Sequence, residues 1–295
     1  MQVMSQSATP RPFLLRFGEF IRFSHTIFAL PFALVAMLVA GQGHVPWRVF
    51  GWILVCMVTA RTAAMCFNRL VDWEIDKENP RTKVRHTLVG KSTGWLIFGI
   101  SVAILLFATW ELNPLCFYLS PVMLVLIHFY SLTKRFSAYS HFFLGLALSV
   151  APMGAWAAVQ GTLLTFTPYV LAAAVLCWVF GFDLIYATLD VDFDRRKGLF
   201  SFPARYGVAA SLRTAKILHI VAALAFFVFG WLGNLGPFYW AAWAIVLIAL
   251  VWEHRLANPD NPASINAAFF NVNAIVSMCL LAGVLLNYYA GPRLG

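Results

Sequence analysis

The acidic residues of this chain are few and crowded. Two stretches, FNRLVDWEIDKENPRT (Phe67–Thr82) and DLIYATLDVDFDRRKG (Asp183–Gly198), hold Asp72, Glu74, Asp76, Glu78, Asp190, Asp192 and Asp194, seven of its 12 acids, and Asp183 is an eighth. In the first, Asn68, Asp72 and Asp76 stand at i, i+4 and i+8. A helix puts all three on one face, which Met65 and Arg61 continue toward the preceding apolar run. In the second, Asp190 and Asp194 repeat the four-residue step, with Asp183 and Ala187 on roughly the same side. Carboxylates stacked on one face repel, and something must offset that cost. A divalent cation does so, and Mg²⁺ is the natural choice, because it takes hard oxygen ligands from a few carboxylates, water and substrate phosphate. Two such sets facing each other across a cavity would hold a diphosphate. Acids at the ends of apolar helices are often merely solvated, and Glu74, Glu78 and Asp192 are read that way. The repeated spacing sets the other acids apart.

The elements that must position these groups are membrane helices. Apolar residues make up 61% of the 295 and charged residues only 11%, too few to cover a water-facing surface. The mean hydropathy is +0.77. Nine apolar spans are expected, at about 20–41, 48–70, 95–112, 115–132, 142–160, 167–189, 214–233, 237–252 and 268–289. The fold class is therefore an all-α integral membrane protein, nine transmembrane helices around a central cavity open to the cytoplasmic side. A polar N-terminal segment, 1–19, precedes a single domain, 20–295. That segment lacks the apolar core of a signal peptide.

Charge placement gives the orientation. The net charge of +9 lies in short loops between spans, which argues against nucleic acid as a partner and for topology and lipid-headgroup contact. Lys77, Arg81, Lys83, Arg85 and Lys91 lie in one polar loop, and Arg195, Arg196, Lys197, Arg205 and Arg213 in another. The positive-inside rule puts the N-terminus and the polar loops in the cytoplasm and the C-terminus outside, in a cell membrane. Both acidic stretches then share one side. The five cysteines show no CxxC pair, and the histidines no metal-ligand spacing, so packing is expected for both, His128 and His141 included.

These residues resemble the UbiA superfamily of intramembrane prenyltransferases. Its first motif stands here as Asn68-x-x-x-Asp72-x-x-x-Asp76 and its second as Asp190-x-x-x-Asp194. Tyr130-Ser-Leu-Thr-Lys134 matches a third, and Arg22 and Arg61 match arginines of the first two spans. SHTIFALPFAL and IYATLDVDFDRRKG are similar to the 4-hydroxybenzoate polyprenyltransferase-like branch. The run Arg85-His86-Thr87-Leu88-Val89-Gly90 departs from it, lacking the two prolines found in many relatives.

The resemblance implies Mg²⁺-dependent transfer of a polyprenyl group from its diphosphate to a small hydroxylated aromatic acid in ubiquinone or menaquinone biosynthesis. Asp72, Asp76, Asp190 and Asp194, with Asn68, would hold metal, and Lys134, with Arg69 or Arg195, would contact the diphosphate. Arg22 and Arg61 would bind the acceptor carboxylate or the diphosphate, and Tyr130, Asp183 and Tyr186 would complete the substrate site. A dihydroxynaphthoate in the futalosine route is the alternative acceptor. A secondary transporter is the alternative of another class, but it would want its acids at the bilayer midplane. A CDP-alcohol phosphotransferase would want its acids in one run on a single helix pair.

Overall fold

The computed structural model describes residues 12–22, 26, 28–78, 82–259 and 261–290, with the side chains of Arg85 and His86 left aside. His25, Arg81, residues 1–11 of the N-terminal segment and the C-terminal 291–295 lie outside the described residues. Every regular element described is helical, the economical answer in lipid, where a helix satisfies its own backbone. In chain order these are α1 (Phe13–Phe20), α2 (Leu30–Ala40), α3 (Trp47–Val71), α4 (Trp73–Glu78), α5 (Arg85–Leu88) and α6 (Lys91–Leu112). There follow α7 (Pro114–Thr133), α8 (Ser140–Gln160), α9 (Thr167–Ala187), α10 (Val191–Lys197) and α11 (Phe202–Tyr206). The chain ends with α12 (Val208–Leu232), α13 (Pro237–Leu256), α14 (Pro262–Ala267) and α15 (Asn273–Tyr289).

Among the described residues, eight helices are long and apolar enough to cross a membrane. The first expected span is the exception. Among the described residues of 20–41, only Leu30–Ala40 forms a sustained helix, 11 residues long. Pro31 sits in its first turn, where a proline lacking N–H is tolerated. Upstream, the chain turns at Ile21 and Arg22, and Arg22 takes φ 49°. The described part of the N-terminal segment is also more than polar, because it forms α1.

Local sequence explains most ends. Prolines start α7, α9, α13 and α14. Asn113 caps α7 by accepting from the Cys116 N–H at 2.9 Å. α9 is the buried axis: Trp178, Val179, Leu184 and Ile185 have no exposed surface. It packs between α8 and α12, and the ring continues through α13 and α15 to α2, which returns to α8. Gly145 permits the α8–α9 approach, since a Cβ there would stand 2.7 Å from the Leu176 carbonyl oxygen. α3 pairs with α6, and α7 links that pair to α8. Leucines, valines and isoleucines such as Ile100, Val125 and Leu224 face outward, the inverse of a water-soluble surface.

Candidate active site

α3 ends at Val71, and Asp72 is its C-cap. The helical ladder nevertheless crosses the break. The Asp72 N–H bonds to the Asn68 carbonyl at 3.1 Å, and the Asp76 N–H to the Asp72 carbonyl at 2.7 Å. Asn68, Asp72 and Asp76 therefore keep their common side as α3 gives way to α4. Asp72 is 2% exposed and Asp76 7%, so each needs positive charge close by.

The chain supplies it. Lys134 Nζ lies 2.5 Å from Asp72 Oδ2, and Arg135 Nη2 donates to Asp72 Oδ1 at 2.9 Å. Arg135 also donates to the Val71 carbonyl at 2.7 Å and the Ser131 carbonyl at 2.9 Å, riveting the end of α7 to the end of α3. Arg69 lies 3.6 Å from Asp76 and donates to Asn68 Oδ1 at 3.1 Å. Asn68 in turn donates to Ser131 Oγ at 3.2 Å.

The second acidic pair follows α9. That helix tightens into a 3₁₀ turn, Thr188–Asp190, before α10 begins. Asp194 interacts with the Ser201 hydroxyl and feels the charges of Asp190, Lys134 and His141. The Phe200 N–H bonds to the Lys134 carbonyl at 2.9 Å, and Lys197 pairs with Glu78. The two acidic stretches thus meet at Lys134. Glu74, Glu78 and Asp192 are exposed, as solvated acids should be. Arg195 is exposed as well, and its Nε donates to the Ala204 carbonyl at 3.2 Å. The geometry of α10 turns Arg195 outward while Asp194 is half-buried.

Beside this junction lies a cavity of about 720 Å³. It follows α3 from Arg69 to Ile53, about 24 Å at the helical rise. Arg22, Arg61, Asn68, Arg69, Tyr130, Asp183 and Tyr186 are on its wall. Asp72, Asp76, Lys134, Asp190 and Asp194 are not; Asp72 and Asp76 follow the wall residue Asn68 by about one and two helical turns, and Asp190 follows the wall residue Tyr186 by about one. The remaining wall is mostly apolar, with Leu119, Met123 and Val150 among its side chains. Arg61 donates to the Arg22 carbonyl at 2.8 Å, and its buried Nε has no hydrogen-bond partner among the described residues.

Two residues of this site escaped the sequence reading. Arg135 directly follows the motif lysine, and that adjacency was its one signal. His141, expected to pack, has Nδ1 2.6 Å from Asp183 Oδ2. Nothing in the spacing of positions 141 and 183 announces that contact.

Residues 29–275 match the UbiA prenyltransferase family. The chain belongs to that family. It is a multi-pass membrane protein and a prenyltransferase. A 4-hydroxybenzoate solanesyltransferase of Synechocystis is 30% identical over 260 residues, 87% of this chain and 88% of the relative. A 4-hydroxybenzoate octaprenyltransferase of Vibrio vulnificus is 29% identical over 264 residues, 86% and 89% of the two chains. Among solved structures, the apo UbiA homologue of Aeropyrum pernix superposes with a TM-score of 0.81 at 29% identity, covering 89% of this chain and 97% of the other. A UbiA homologue of Archaeoglobus fulgidus, bound to GPP and Mg²⁺, superposes at 0.64 with 14% identity over 91% and 99% of the chains, a likeness of fold.

The fit of a metal can be judged from the donors. Among the described residues no three His, Cys, Asp or Glu side chains are gathered closely enough to hold an ion alone. The acids at the junction offer only oxygen, and buried Asp72 already draws two cations. A hard divalent ion suits that chemistry, with substrate phosphate completing its coordination.

Proposed function

We propose that this prenyltransferase moves a polyprenyl group from polyprenyl diphosphate to a hydroxylated aromatic acid of the 4-hydroxybenzoate type, in ubiquinone or menaquinone biosynthesis. One observation carries the reading. A long apolar cavity ends at a cluster of aspartates and cations, and two arginines stand on its wall. The curated relatives named for 4-hydroxybenzoate support the choice of acceptor.

The roles follow from the chemistry of each group. Asp72, Asp76, Asp190 and Asp194, with Asn68 beside them, would hold Mg²⁺, which when bound neutralises charge on the departing diphosphate. Lys134 and Arg69 add fixed positive charge for the phosphate oxygens. The apolar wall takes the polyprenyl tail and keeps water from the allylic carbon. Arg61, with its free Nε, and Arg22 hold the acceptor's carboxylate, since a guanidinium in a membrane seeks an anion. That anchor aims the ring carbon beside the hydroxyl at the allylic carbon. The carbon–oxygen bond to diphosphate breaks, a carbon–carbon bond forms, and the ring gives up a proton.

The test is an acceptor panel of 4-hydroxybenzoate, dihydroxynaphthoates and homogentisate, with product mass and pyrophosphate release measured with and without EDTA. Prenylated 4-hydroxybenzoate formed only with divalent cation is expected. Failure to prenylate any aromatic acid would overturn the reading, and preference for a dihydroxynaphthoate would move it to the alternative acceptor. The lysines and arginines of the polar loops support a cytoplasmic site. A cysteine introduced at Glu78 should then react with impermeant reagent only from the cytoplasmic face. Labelling from outside would invert the topology.

A further inference from the structure

Glu253, near the end of α13, is fully buried between membrane helices. An ionisable group there is costly and seldom kept without a role. Its Oε1 accepts from Asn273 Nδ2 at 2.8 Å, and its Oε2 lies 3.5 Å from His219 Nδ1. His219 Nε2 stands 3.2 Å from the Trp178 carbonyl, which can only accept, so that nitrogen carries the proton. His219 Nδ1 then accepts from His254 Nε2 at 3.0 Å. This network ties α9, α12 and α13 to the start of α15, outside the site described above.

What the network holds is a π turn. Asn273 Nδ2 also reaches the carbonyls of Phe269 at 3.0 Å and Ala268 at 3.4 Å, both in the π-helical stretch Ala268–Val272. Such a stretch widens the helix, rotates its side chains out of the regular register and is frequent at functional sites. Phe269 is on that stretch and on the cavity wall. Its ring stacks on Tyr186, centroids 4.1 Å apart and planes 28° from parallel. Phe28 and Phe182 meet it edge-on at 5.4 and 5.3 Å. Tyr186 lies about one helical turn from both Asp183 and Asp190.

We propose that Phe269 is a specificity-determining residue that forms, with Tyr186, the wall against which the aromatic acceptor lies. Asn273 and Glu253 are positioning residues that set this wall through the π turn. The inference rests on the prenyl-transfer reading above. A flat ring gains from aromatic walls in a way that a branched aliphatic tail does not. The wall also stands at the end of the cavity that carries Arg22 and Asp183, whereas the long apolar remainder follows α7 and α8.

Steady-state kinetics of the full-length protein, with 4-hydroxybenzoate, geranyl diphosphate and Mg²⁺, test it. Phe269→Leu should raise the acceptor KM about three- to ten-fold, the worth of an aromatic contact. The diphosphate KM should stay within about twofold. Asn273→Ala and Glu253→Ala should reproduce that split. Glu253→Gln, which still offers an oxygen to Asn273 and an amide to His219, should restore the acceptor KM. A merely structural clamp would lower the Tm of these variants without separating the two KM values. Should the alanine variants fail to fold, Phe269→Leu and Glu253→Gln still decide. Equal KM changes for both substrates, or none, in Phe269→Leu overturn the inference while wild-type transfer leaves the function standing. A wild type that prenylates no aromatic acid overturns both.

Discussion

Asp72 and Asp190 each begin a pair of acids four residues apart, yet the two pairs are built differently. The first lies at the seam of α3 and α4, nearly sealed from solvent, and the side chains of Lys134, Arg135 and Arg69 clamp it to the end of α7 and to α3. The second lies on a 3₁₀ step between α9 and α10 and is only half-buried. Near it, α10 and the chain that follows are tied down by contacts such as Lys197 with Glu78 and the Phe200 N–H with Lys134. Burial explains the contrast, because a carboxylate withdrawn from water must be met by charge, whereas one at the rim is partly met by solvent. The first pair is thus held in place by buried charge, and the second sits on a segment broken by a 3₁₀ turn beside it.

Substitutions at the two pairs test that contrast most severely. Asp72→Asn and Asp190→Asn should each cut kcat at least about 100-fold, the scale of losing one group that stabilises the reacting charge. Their stabilities should differ. Asp72→Asn leaves Lys134 and Arg135 facing an amide and should lower Tm by roughly 3–6 °C, whereas Asp190→Asn should leave it nearly unchanged. Thermal unfolding in detergent beside turnover reads both quantities. Equal Tm losses would erase the distinction, and near-normal turnover in either variant would remove that pair from the chemistry.

The next effect lies on the cavity wall. Arg61→Leu should raise the acceptor KM about tenfold while the diphosphate KM holds, as expected on losing one charged hydrogen bond. A rise in the diphosphate KM instead would assign Arg61 to the phosphate end and extend the cationic clamp of the first pair into the cavity.

The common side of Asn68, Asp72 and Asp76 was legible in the sequence because it depends on one helical ladder, which persists even through the break at Asp72. Arg22 and Arg61 were legible as cavity residues because a guanidinium in an apolar span has few other uses. Arg135, His141 and the Glu253–Asn273 contact were not. Each depends on a partner on another helix, 20 or more positions away, and hydropathy and spacing describe only how one helix presents its own faces. The shortened first span has a similar cause. Hydropathy averages across Ile21 and Arg22, where the backbone turns and Arg22 takes φ 49°.

Arg135 separates the two pairs more finely. Arg135→Lys keeps a positive charge beside Asp72 but loses the fork that also grips the carbonyls of Val71 and Ser131. A three- to ten-fold loss of kcat is expected, roughly the worth of one misplaced charged hydrogen bond, with both KM values little changed. Full activity would mean that charge alone suffices at Asp72 and that its orientation is not fixed by the clamp.

The smallest effect should come from the link between the acidic stretches. Lys197 and Glu78 pair across them, but their side chains are 45% and 54% exposed. Such a pair gives little, because water screens the attraction and two long side chains lose freedom in making it. Lys197→Ala should therefore change kcat by less than about twofold at moderate salt, and raising salt should shrink the difference further. The comparison gives the variant its interest. If the second pair is brought to the first by buried contacts around Lys134, the outer link is dispensable. A tenfold loss in Lys197→Ala, recovered when Glu78→Lys and Lys197→Glu are combined, would show instead that the broken segment depends on this outer pair for its place. The second acidic pair would then be held from the surface.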